Sequence, residues 1–129
     1  MYLPLFHLEK DFTAEGSYNP FTVESATVIP LYPIPNKYAL QVTGLDAAGA
    51  VQVPTSWDVL LLASLDNLAY NEASLIVEHV NTSNGNGDVV WQNTSTKSFY
   101  VCRFLLVKVK ALVLGASATR IRVSVLGDK

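Results

Sequence analysis

The chain reads as an all-β protein: a two-sheet antiparallel β-sandwich of the jelly-roll type, with an open barrel as the alternative, preceded by an extended N-terminal arm. Three observations predict it. The last third alternates apolar and polar residues almost without a break, from Ser98 to Phe104, Val107 to Leu112 and Arg120 to Val125, the period of a strand with one wet face. A continuous apolar run, Trp57 to Ala63, reads as a strand buried on both faces. Turn-forming residues punctuate the chain often enough to separate eight or nine short strands, the count of a sandwich.

The elements follow in order. Residues 1–20 differ from the rest: Tyr2, Leu3, Leu5, Phe6, Leu8 and Phe12 are interleaved with Pro4 and a short charged patch. The segment is too apolar for a disordered tail, and Pro4 fits a strand only at an edge. It is read as an extended arm that docks either on its own domain or on a neighbouring subunit, with Tyr2, Leu3, Leu5 and Phe6 as anchors. One sandwich domain then spans 21–129. Phe21 to Ile29 is its first strand, ended by Pro30, and the segment from Leu31 to Lys37, with Pro33 and Pro35, is a stiff connector. Tyr38 to Thr43 is a strand, Gly44 to Gly49 a turn, and Val51 to Val53 a brief strand before Pro54. After the apolar strand comes a loop or helical turn over 66–73, then an alternating strand from Ser74 to Val80. Asn81 to Asp88 consists of turn-forming residues and is the strongest loop signal in the chain. Val89 to Trp91 is a short strand. The alternation puts Val107, Val109 and Ala111 on one face of the next strand, with Lys108 and Lys110 on the other. In the last strand it sends Ile121, Val123 and Val125 inward and Arg120, Arg122 and Ser124 outward.

Composition narrows the function. The 129 residues are enough for a real core, and with one cysteine, Cys102, no disulfide staple is available. Half the residues are hydrophobic and only 16% are charged, below the roughly 25% of typical soluble domains. Such a chain is expected to bury part of its exterior against partners. The net charge of -2 leaves no basic surplus to attract phosphate, so no nucleic-acid partner is expected. Lys108, Lys110, Arg120 and Arg122 read as a solvated basic stripe. The first residues lack a positive start and a long apolar run, which predicts no secretory signal, synthesis in the cytoplasm and unglycosylated sequons at Asn81 and Asn93. No run is long enough for a membrane-spanning helix.

Catalytic patterns do not emerge. His7 and His79 fall in different segments, and no His-x-Glu or Cys-x-x-Cys spacing occurs. There is no Gly-x-Ser-x-Gly elbow, and the Gly-rich loop at Asn84 to Asp88 lacks the Lys-Ser/Thr of a phosphate loop. That loop offers Asn and Asp oxygens but only one charged ligand, too few for a calcium site. The reading is therefore non-enzymatic, with no cofactor and no metal. Trp91, Asn84 and Asn86 form a possible ligand platform for sugars, with Trp57, Tyr18, Tyr32 and Tyr70 as further aromatics; Trp57 itself is expected in the core.

Three stretches carry a family resemblance. They are Val59 to Asp66, Ser98 to Val101 running into Phe104 to Val109, and the small-residue turn Gly115 to Ala118 before Ile121 to Val125. Together they resemble the small β-sandwich virion proteins of tailed bacteriophages, over a little more than half the chain. The departure is at Asn67-Leu68-Ala69-Tyr70, where that family commonly has Gly and then Trp. The resemblance implies a virion structural protein, foremost a capsid decoration (cement) protein that binds the shell as a homotrimer. Its alternative is a carbohydrate- or receptor-binding module of a fibre or tail. It implies no catalytic residues.

Overall fold

A computed structural model describes residues 6–19, 37–64, 68, 70, 76–82, 90–93 and 104–128. Among these residues there is no helix. Eight strands run in order: β1 (Phe6–Phe12), β2 (Gly16–Tyr18), β3 (Lys37–Leu45), β4 (Ser56–Ser64), β5 (Ile76–Asn81), β6 (Val90–Asn93), β7 (Phe104–Val113) and β8 (Arg120–Asp128). They form two four-stranded antiparallel sheets, ordered β1-β8-β3-β6 and β2-β7-β4-β5. The sheets close face to face over a shared core, a β-sandwich. The pairing is nested: β1 pairs with β8, β2 with β7, β3 with β6 and β4 with β5. Two further pairings, β3 with β8 and β4 with β7, join these hairpin halves into sheets.

The core follows the strand period. Ile121, Val123 and Val125 of β8 are fully buried, as their alternation requires, and meet Leu40 and Val42 of β3 and Val59, Leu61, Val107 and Val109 of the other sheet. β4 is buried on both faces from Val59 to Ser64. Trp57, Val59, Leu61 and Ala63 enter the main cluster, while Leu60 and Leu62 alternate with them and are buried too. A continuous apolar run is the sequence form of that environment.

Two bulges alter the sequence-based faces. Opposite β4, Val109 pairs with Val59 but Ala111 with Asp58, so Lys110 is the extra residue of β7. An inserted residue resets the alternation beyond it. Ala111 therefore leaves the face of Val107 and Val109, and Leu112, paired with Trp57, packs against the core. In β5, Glu78 pairs with Leu61 but Ile76 with Leu62, so Val77 is extra and turns into the core.

The arm expected over 1–20 is, from Phe6 onward, part of the sandwich. Phe6–Phe12 lies along β8 in an unbroken register from Phe6 opposite Gly127 to Phe12 opposite Ile121, and Leu8 and Phe12 are buried. Gly16–Tyr18 lies along β7. The short charged patch within it is edge chemistry. Lys10 lies between Leu8 and Phe12 in the alternation, stays exposed, and sets its ammonium 4.9 Å from the Tyr18 ring centroid. An inward lysine on an edge strand discourages pairing with another chain. The expected strand at 21–29, most of the 66–73 turn, Cys102 and the bulk of the Asn81–Asp88 loop lie outside the described residues. Val51 makes only an isolated bridge to Leu45 rather than a strand.

One turn depends on glycine. Gly115, between β7 and β8, has φ +81°, and a Cβ there would sit 2.5 Å from the Thr55 hydroxyl oxygen. Gly115→Ala is expected to cost about 1–2 kcal/mol from the left-handed backbone and to displace Thr55. A denaturant titration that leaves the midpoint unmoved would contradict this geometry.

Candidate interaction surface

The β3–β4 connection and the β7–β8 turn meet at one end of the sandwich. Asp46 builds the first: its carboxylate accepts hydrogen bonds from the backbone N–H of Ala48 and of Ala50, both at 2.9 Å. The chain then returns along β3, where the Gln52 N–H donates to the Gly44 carbonyl at 2.9 Å. That approach needs a glycine, because a Cβ on Gly44 would lie 2.0 Å from the Gln52 oxygen. Two backbone bonds tie the loops together, Thr55 N–H to Val113 O at 2.9 Å and Thr119 N–H to Leu45 O at 2.7 Å. Arg120 adds a bond of 2.8 Å to the Asp46 carbonyl.

This end presents apolar side chains to solvent. Val51, Val53 and Val113 are 53%, 55% and 53% exposed, and Ala47, Ala48, Ala50 and Ala116 are exposed around them. Neither run that builds it, Ala47 to Trp57 or Ala111 to Thr119, contains a charged residue. Sequence reasoning missed these residues, although two uncharged runs in a chain with few charges were the signal. Scattered exposed valines need no explanation, but Val51, Val53 and Val113, the last at the end of β7, all lie at the end where these segments are fastened together, which suits that end to a protein partner.

The outer face of the β1–β8 sheet is the opposite in character. Glu9 and Asp11 stand two apart on β1, the spacing that puts two carboxylates on one strand face, and sequence reasoning passed over the pair. Arg122 meets Asp11 at 2.8 Å and Glu9 at 3.3 Å, and Arg120 meets Asp11 at 3.2 Å. The hydrogen bond from Arg122 holds the Asp11 carboxyl below its ordinary range, and Asp11 in turn raises Arg122. The basic stripe expected from Lys108, Lys110, Arg120 and Arg122 does not form, because β7 and β8 belong to different sheets. Lys108 and Lys110 instead line a shallow depression of about 280 Å³ with Glu15, Gly16, Ser17 and Val109.

The anchors Tyr2, Leu3 and Leu5 lie outside the described residues, as do Asn84 and Asn86. Phe6 opens β1, and Trp91 stands opposite Leu40 in β6. Trp57 is 3% exposed within the core, so it is not available to stack on a sugar ring. Tyr18 packs against the core, and Tyr70 accepts a 3.4 Å hydrogen bond from the Asn19 amide. His79 bonds Asp58 on the outer face of its sheet, while His7 lies on the other sheet. Among the described residues no group of three or more His, Cys, Asp or Glu is placed to hold a metal ion, and no helix is long and apolar enough to cross a membrane. No family model matches this chain, and no curated protein or solved structure matches it.

Proposed function

We propose that this protein is a non-enzymatic structural protein whose jelly-roll sandwich assembles through the end that bears Val51, Val53 and Val113. More specifically, it is a virion protein of the capsid decoration type, a homotrimer that binds and stabilises a phage shell. The nested strand pairing supports the jelly-roll reading, since that fold is one long hairpin wound into two sheets. The single observation carrying the assembly reading is the patch of Val51, Val53 and Val113. Hydrogen bonds fix the patch to the sandwich, so little loop ordering opposes association. A repeated shell lattice then multiplies modest contacts through multivalency. With three subunits around an axis, the valine-bearing ends meet one another, and other faces remain for the shell.

Mass spectrometry of purified virions encoded by the same genome tests the function. The chain is expected at a fixed high copy number relative to the shell protein. Its absence from intact virions would reject the decoration role.

A further inference from the structure

Glu78 is the unusual ionisable group of the sandwich. Among the described residues β5 is an edge strand with β4 as its one sheet neighbour, and its bulge at Val77 leaves Glu78 opposite the buried Leu61. Glu78 is only 3% exposed. Its ladder partner Leu61 belongs to the apolar core, to which β4 also gives Val59 and Ala63 and β3 gives Tyr38, Leu40 and Val42. β6 contains no ionisable residue between Val90 and Asn93. Lys10, on the inward side of β1, is at the opposite edge of the sandwich. Thus no cation faces Glu78 among the described residues. On the other face of β5, His79 bonds Asp58 of β4 across the same ladder.

We propose that β5 is a proton-tightened edge strand, held more firmly to β4 while Glu78 carries a proton and loosened when that proton leaves. Burial pushes the Glu78 carboxyl up to about 7 from 4.5, opposed in part by a hydrogen bond from the His79 backbone N–H. Between those values the docked strand holds a proton that the released strand has lost. Docking is therefore strongest below the lower value and weakens as pH rises through the upper one. An edge strand opens more readily than a central one, so the response is local to β5.

Hydrogen–deuterium exchange of the full chain, corrected for intrinsic rates, tests this. With values of about 7 and 4.5, linkage gives a loss of β5 protection on the order of 20-fold between about pH 5.5 and about pH 8. The amides of 76–81 should show that loss while β8 keeps its protection, and Glu78→Gln should abolish the difference. Equal protection of β5 at both pH values, an equal loss in β8, or the same loss in the Gln variant would overturn the proposal. If the Gln variant does not fold, the Glu78 side-chain carbon is titrated by NMR in the wild type. A midpoint shared with β5 loosening supports the proposal, and a midpoint in the ordinary carboxylate range refutes it.

Discussion

Gly44→Ala is expected to lower stability by about 3 kcal/mol, the upper end of the usual cost of overpacking, and to reduce Tm by roughly 10 °C. The new Cβ would stand 2.0 Å from the Gln52 oxygen and 2.6 Å from Pro54 Cδ. Neither neighbour is the tip of a flexible side chain. Either β3 shifts in the core, or the returning segment lifts and breaks the Gln52 bond to Gly44. Lifting would carry Val51 and Val53 with it, so the variant should also lose assembly. Gly16→Ala is the control, because nothing lies within 4 Å of its added carbon. Thermal melts of the two variants should separate clearly, and coincident melts would show that the loop does not sit against β3.

Deleting residues 1–12 is expected to abolish cooperative folding rather than yield a folded domain lacking an arm. The deletion removes Leu8 and Phe12 from the core and the whole ladder from one side of β8. Burial of two such side chains is worth roughly 1.5–3 kcal/mol each, before the loss of seven paired positions. The sum is comparable with the roughly 5–15 kcal/mol that holds a typical domain together. Loss of near-ultraviolet dichroism and of a sharp melt is the expected result. A truncated protein that melts like the intact one would return the segment to the status of an arm.

The strands that sequence reading found best are those whose pattern and environment agree. β8 alternates cleanly and is buried on one face; β4 is apolar throughout and buried on both. β1 was missed because edge strands are written differently. Its Glu9-Lys10-Asp11 run looks like a solvated segment, yet Glu9 and Asp11 pair with arginines of β8 and Lys10 sits on the strand that forms the edge among the described residues. The bulge at Lys110 left no trace, since alternation runs through it and only the pairing with β4 reveals the extra residue. Glu78 shows the same limit. One strand's sequence says that neighbouring side chains oppose each other, but register decides which of them faces the core. The assembly patch was half legible: low charge pointed to a buried exterior, but the folded loops had to bring Val51, Val53 and Val113 together.

Absolute mass by light scattering, on the wild type and on the combined Val51→Glu, Val53→Glu, Val113→Glu variant, tests assembly through the valine-bearing end most directly. The wild type should measure three times 14.1 kDa. The variant, with an unchanged far-ultraviolet spectrum, should fall to a single chain. A wild-type monomer, or a variant that keeps the trimer, would contradict the account.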